Sequence, residues 1–301
     1  MIKIAYIGGA RRCGTTLLGR VLGQQKGFCF VGELGMIWRE GFIENRSCGC
    51  GKPFRDCDFW KEVVVAAFGR PTASDIAAIS DLSNHVDRLR FLFKNDFRFA
   101  SRRHLERVSQ YRSILSSLYR ALALISGQQL IVDSTKLPSR ALLLDRVSGL
   151  DVRTIHLVRD SRAVAFSWRR AKLRPQLSVW GSALEWNAVN IAWEYSRHLM
   201  KNYLRLNYEG FIQNPSASLK TMSSFLDEAI NENFATPEEM HFDVQHTISG
   251  NPIRFKTGMV QLRLDDEWSH ALPSSDRMIT VAATFPLMLR YGYFRRTMSS
   301  Q

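Results

Sequence analysis

Residues 8 to 16 read Gly8-Gly9-Ala10-Arg11-Arg12-Cys13-Gly14-Thr15-Thr16, between an apolar run at 4–7 and a helix-compatible one at 17–22. A strand, a glycine-rich turn and a helix in that order constrain the fold more than any other segment. Such a turn lets successive backbone N–H groups point inward, and the helix N-terminus adds partial positive charge, so the unit is suited to an anion. The spacing Gly9-x4-Gly14 is that of a phosphate-binding loop, but Thr15 stands where a nucleoside triphosphatase carries its lysine. The positive charge comes earlier, at Arg11 and Arg12.

Three further short apolar segments, 130–133, 154–158 and 204–208, read as buried parallel strands, each followed by polar residues. Helical patterns lie between them, which implies an α/β fold with a mostly parallel sheet. In such sheets ligands collect outside the carboxyl ends of the strands. That rule places Arg12, Ser134, Lys136, Arg159 and Tyr208 along one edge. A fourth short apolar run, 28–31, leads into Glu33.

From Trp60 to about residue 125 the pattern is helical throughout. Arg88, Arg90, Lys94, Arg98, Arg102, Arg103, Arg107, Arg112 and Arg120 face only Asp87, Asp96 and Glu106, with Phe91, Leu92, Phe93, Phe97 and Phe99 interleaved. Two readings are open: a helical insertion that caps the site and meets an acidic substrate, or a solvated helix face with its apolar side in the core. Without repeats or a linker, residues 1–301 read as one domain with a basic helical insertion at about 61–128.

The net charge of +13 points to an anionic partner. No signal-peptide pattern precedes the first strand, and no apolar stretch approaches the roughly 20 residues that span a bilayer. The five cysteines are odd in number and one lies in the anion loop, which fits a reducing, cytoplasmic setting. Cys48, Cys50 and Cys57 are spaced like metal ligands, but no fourth cysteine or histidine follows before His85, so they read as a structural loop and not a metal site.

A second motif is Leu157-Val158-Arg159-Asp160-Ser161-Arg162-Ala163-Val164-Ala165-Phe166-Ser167-Trp168. Arg159 leaves a strand end, and Ser167 follows about two helical turns later. A guanidinium fork and a hydroxyl suit a phosphate monoester.

With both motifs in hand, the chain resembles the sulfotransferases that use 3′-phosphoadenosine 5′-phosphosulfate (PAPS). That family carries a basic residue, a small residue, Gly and two Thr/Ser after its first strand, here Arg12-Cys13-Gly14-Thr15-Thr16. It also carries an Arg followed eight residues on by a Ser, here Arg159 and Ser167. Val31-Gly32-Glu33-Leu34, Cys48-Gly49-Cys50-Gly51-Lys52-Pro53-Phe54 and Val132-Asp133-Ser134-Thr135-Lys136 resemble a bacterial branch related to carbohydrate sulfotransferases. So do the segment from His246 to Phe255 and the closing Arg290-Tyr291-Gly292-Tyr293.

The resemblance implies a P-loop-NTPase-like central parallel sheet flanked by helices. It implies PAPS as donor and a carbohydrate or hydroxylated small-molecule acceptor, which the basic composition suggests is anionic. Arg11, Arg12, Cys13, Gly14, Thr15 and Thr16 would hold the 5′-phosphosulfate, and Arg159 and Ser167 the 3′-phosphate. Arg254 and Lys256 would complete that pocket, although the family's Arg-Lys-Gly order is not reproduced. Tyr208 would contact adenine or pack in the core. Arg12 is the first choice to stabilise the charge of the transition state, Glu33 is the candidate general base with His246 as its rival, and Lys136 would touch the sulfate or pair with Asp133. His156, in mid-strand, reads as a hydrogen-bonded core residue. Such catalysis needs positive charge and a base but no metal in principle. Two other readings compete: a P-loop nucleotide kinase or NTPase, with Asp133 as its metal-binding aspartate, and a polyanion-binding module without a recognised nucleic-acid motif.

Overall fold

The computed structural model describes residues 1–95, 100–171, 176–231 and 240–294. Its centre is a five-stranded, wholly parallel sheet in the order β2-β3-β1-β4-β5. The strands are β1 (Ile2–Gly8), β2 (Phe28–Phe30), β3 (Leu130–Lys136), β4 (Leu150–Val158) and β5 (Tyr203–Asn207). The four runs read as strands are strands, and the apolar run at 28–31 supplies the fifth, β2. β4 begins four residues earlier than the apolar pattern implied, and Tyr208 opens a helix instead of ending a strand.

The alternation along β1 explains the two layers. Ile4 and Tyr6 point into one core cluster, and Ala5 and Ile7 into another, as the two-residue repeat of a strand requires. The first cluster is covered by α2 (Asp58–Phe68), α3 (Ala73–Val86), α4 (Arg102–Ser126) and α5 (Pro138–Asp145). The second is covered by α1 (Thr15–Leu22), α8 (Tyr208–Gln213) and α9 (Pro215–Leu226). Beyond β4, α6 (Ser161–Arg169), α7 (Val179–Ser196) and the closing helix α11 (Ser274–Arg290) pack around Val164, Trp168, Trp186 and Met288. A small antiparallel pair, β6 (Met240–Phe242) and β7 (Gly258–Val260), and the short α10 (Trp268–Ala271) complete the chain.

The helical middle is present, and local sequence explains its limits. Thr72 and Asp75 form a reciprocal capping box at the start of α3. Ser101 caps α4, and Gly127 at φ 62° ends it. On α4, Val108, Tyr111, Leu115, Leu118, Tyr119 and Leu122 are buried, whereas Arg102, Arg103 and Arg120 are exposed. The solvated-face reading describes α4: its apolar stripe packs against α2, α3 and the sheet, and none of its residues lines the cavity at the strand ends. Asp96, Phe97, Arg98 and Phe99 lie outside the described residues.

A buried ion-pair network ties this segment to the sheet. Arg140 bonds Asp87 and the Tyr111 hydroxyl, Tyr111 also meets Trp38 and Ser83, and Arg140 Nε lies 4.0 Å from Asp133. Asp133 in turn accepts from Tyr119, from Thr135 and from the Leu34 N–H. Asp133 is thus sealed in the core and does not pair with Lys136. His156 is fully buried, held by the Tyr203 hydroxyl at 2.6 Å and Asn190 at 3.0 Å, as expected for a core histidine.

Candidate active site

The strand order reverses direction around β1, and the loops after all five strands meet there. They enclose a cavity of about 510 Å³. Arg11, Arg12, Gly14, Thr15, Thr16, Glu33, Lys136, Arg159, Ser167, Tyr208 and Arg254 all line it, so eleven of the residues expected at the site converge. Ser134, Cys13, Lys256 and His246 do not line it. Ser134 is buried within β3. Cys13 is tucked beneath the loop against Gly9, and burial pushes its thiol up to about 12, so only its backbone faces the turn. Lys256 is exposed.

The turn itself has the geometry of an anion cradle. Arg12 and Gly14 both have left-handed backbones, at φ 69° and 94°. Gly14 is required twice over: it adopts a positive φ, and a Cβ there would sit 2.4 Å from the Tyr208 ring. It serves as N-cap of α1 without a side-chain cap, and no acidic residue lies in the helix's first turn. The first amides of α1 are therefore free of competing carboxylates from that turn.

Cations crowd this cradle. Arg12 Nε donates to Ser167 Oγ at 3.0 Å, and Arg159 Nη1 donates to the Arg12 carbonyl at 3.2 Å. The two motifs read separately in the sequence thus form one structural unit. Burial, then the charges of Arg159 and Arg170, lower the Arg12 pKa from its ordinary value. Arg12 has no carboxylate partner among the described residues. Arg159 is buried over the Tyr208 ring at 4.7 Å and reaches Asp265 at 3.5 Å, while its Nε has no hydrogen-bond partner among the described residues. Like charges held together in a half-buried site are unfavourable unless an anion joins them. Arg11 is instead drawn outward to Glu185, at 3.4 Å.

On the other side of the cradle, Lys136 Nζ pairs with Glu33, and both side chains are 16% exposed. Lys136 also has a left-handed backbone, φ 75°, and it sits at the carboxyl end of β3. Strained backbones at Arg12, in the loop after β1, and at Lys136, the last residue of β3, mark a site the surrounding fold must hold in place.

Glu33 is fixed by the segment 247–255. Its N–H donates to the Ile248 carbonyl at 2.7 Å, and Asn251 N–H donates to Thr16 Oγ1 at 3.3 Å. Gly250, φ 104°, passes so close that a Cβ would lie 3.2 Å from Thr16 Oγ1 and 3.4 Å from Glu33 Oε1. Arg254 lines the cavity but spends its guanidinium on backbone, donating to the Thr247 and Ser47 carbonyls at 2.8 Å each. Glu40, Arg46, Trp168, Ser249 and Phe255 also line the cavity without having been singled out in the sequence. Trp168 closes the second motif, within α6, whereas the other four come from segments outside the regular helices and strands, where periodicity carries no signal.

Two expectations about the cysteine loop change. His246 is not a rival base beside Glu33: its Nδ1 lies 3.2 Å from Cys57 Sγ and 3.8 Å from Cys48 Sγ. Conversely, the three cysteines do have a fourth neighbour, brought from far along the chain.

The model described as Sulfotransferase family matches residues 5–232, and the chain belongs to that family. Solved structures agree on the fold. The sulfotransferase domain from the curacin biosynthetic pathway superposes with a TM-score of 0.52 at 16% identity, covering 94% of this chain and 98% of that one. The sulfotransferase domain from the Synechococcus PCC 7002 olefin synthase gives 0.54 at 18% identity, covering 95% and 94%. No curated protein matches the chain. No described helix is long and apolar enough to cross a membrane.

Proposed function

We propose that residues 1–301 form one PAPS-dependent sulfotransferase domain, which moves the sulfuryl group to a hydroxyl of a carbohydrate or hydroxylated metabolite. The observation that carries this reading is the pair Arg12 and Arg159, two guanidinium groups joined through one backbone contact at the open N-terminus of α1. A donor with phosphate at both ends of its ribose satisfies such a pair better than a nucleoside triphosphate. The NTPase alternative also loses its metal ligand, because Asp133 is fully buried among Arg140, Tyr119 and Thr135.

The donor supplies an activated sulfuryl group, and the chain supplies placement and charge. The amides and hydroxyls of Thr15 and Thr16 hold the 5′-phosphate, while Arg159 and Ser167 hold the 3′-phosphate with Arg12 between them. Tyr208 and Trp168 offer ring faces for adenine. Lys136 stands next to Glu33 and is the cation best placed to take the charge that develops on the oxygen leaving sulfur. Glu33 removes the acceptor proton as that hydroxyl attacks sulfur. Glu40, Arg46 and Phe255 form the remaining wall, where the acceptor enters. Incubation with PAPS and a panel of sugar and metabolite alcohols, read by mass spectrometry, should yield a sulfated product and free 3′-phosphoadenosine 5′-phosphate. A protein that binds PAPS but sulfates no alcohol on a broad panel would contradict the acceptor class.

A further inference from the structure

Cys48, Cys50, Cys57 and His246 bring their three sulfurs and one ring nitrogen to within 4.8 Å of one another. Cys48 and Cys57 are 1% exposed, and all five cysteines of the chain are free thiols. Cys50 Sγ lies 3.7 Å from Cys57 Sγ, far beyond the roughly 2.05 Å of a disulfide. Tetrahedral zinc, with Zn–S of about 2.3 Å and Zn–N of about 2.05 Å, requires sulfur–sulfur separations of about 3.8 Å and sulfur–nitrogen separations of about 3.6 Å. The 3.7 Å between the Cys50 and Cys57 sulfurs is close to the first value, and the 3.2 and 3.8 Å from sulfur to Nδ1 bracket the second.

Packing alone does not account for four heteroatoms turned towards a single point. The residues come from a loop with little regular structure and from a segment 189 positions away. The Phe59 ring stacks on His246 at 4.9 Å and 14°, which fixes the imidazole plane. Cys57 is also the N-cap of α2, so the start of that helix fixes its backbone.

We propose that these four residues bind one structural zinc ion. Three thiolates and an imidazole form a closed tetrahedral set with no position left for substrate, which is the donor chemistry of zinc and not of magnesium. Loading releases the three thiol protons to solvent while the neutral imidazole donates its lone pair. None of the four lines the catalytic cavity, yet the ion would clamp the segments that shape it. Gly49 N–H donates to the Thr247 carbonyl at 3.0 Å, Ile248 N–H to the Val31 carbonyl at 2.9 Å, and Glu33 N–H to the Ile248 carbonyl. The ion would thus anchor the strip of chain that fixes Glu33 and Arg254.

The test needs neither donor nor acceptor, so it stands apart from the sulfotransferase reading. Full-length protein, purified under reducing conditions without chelator or a metal-affinity tag, should contain about one zinc per chain by mass spectrometry of the metal. After chelation it should take up one Co²⁺ and show thiolate-to-cobalt charge transfer with tetrahedral d–d bands. Chelation should lower the thermal midpoint by at least about 5 °C, and Zn²⁺ should restore it. Cys57→Ser and His246→Ala should lose the metal and lose the response to chelator. If those variants do not fold, zinc content and the cobalt spectrum of the unaltered protein decide. Reduced protein that carries no zinc and takes up neither ion overturns the proposal, as does zinc retained in both variants.

Discussion

Glu33→Gln keeps the side-chain volume but removes the carboxylate that pairs with Lys136. Each partner is 16% exposed, so an effective dielectric near 20 applies, and two unit charges about 4 Å apart then attract by about 4 kcal/mol before desolvation. Much of that is offset by taking both groups out of water, which leaves a loss of about 1–2 kcal/mol in folding stability, a few degrees in thermal midpoint. Nucleotide binding should hold or tighten, because Lys136 is left with an uncompensated charge facing the anion cradle. Turnover should fall about 10²–10⁴-fold, equivalent to about 2.7–5.5 kcal/mol of barrier, which is the usual weight of a general base. The assay is sulfuryl transfer from PAPS to an acceptor used by the unaltered protein, run beside a titration with 3′-phosphoadenosine 5′-phosphate. Turnover within about threefold of the unaltered protein would remove Glu33 as the base. A hundredfold loss of nucleotide affinity at normal fold would show that Glu33 serves binding instead.

Other consequences can be checked separately. Gly14→Ala puts a Cβ 2.4 Å from the Tyr208 ring at a φ of 94°, so stability should fall by about 1–3 kcal/mol and nucleotide affinity at least tenfold; unchanged calorimetric affinity would contradict the cradle. Asp87→Ala leaves the buried Arg140 without its closest carboxylate and should cost about 3–5 kcal/mol in denaturant unfolding; a loss under about 1 kcal/mol would mean Asp133 suffices. Burial pushes the His156 imidazole from 6.5 down to about 3. The unfolded chain therefore binds the extra proton, and His156 leaves stability untouched above pH 6.5 but subtracts about 1.4 kcal/mol per pH unit below it. Denaturant midpoints from pH 7 to 4 should show a shallower acid loss for His156→Gln than for the unaltered protein, and equal slopes would refute the assignment.

The sheet was legible because its strands are short, apolar and bounded by polar turns, and the anion loop because glycine spacing is a local signal. The convergence of Arg12, Lys136, Arg159 and Tyr208 followed from the strand-end rule alone. The partnerships were not legible. Nothing local links Arg12 to Ser167, or Lys136 to Glu33, and the buried fate of Asp133 depends on Arg140 and on helices at 58–126. The same applies to His246, which lies 189 residues from Cys57 and has no sequence neighbour that announces it. The basic stretch was ambiguous because an amphipathic helix looks alike whether its charged face meets water or substrate; what decides for α4 is that none of its residues lines the cavity.

The pair Arg12 and Arg159 is arranged for a nucleotide phosphorylated at both ends of its ribose. Isothermal titration calorimetry with 3′-phosphoadenosine 5′-phosphate, against ADP and ATP–Mg²⁺, tests it directly. Binding should weaken at least a hundredfold without the 3′-phosphate, and Arg159→Met should reduce it to the level of ADP. Equal or tighter binding of ATP–Mg²⁺ would contradict it and return the chain's cradle to triphosphate chemistry.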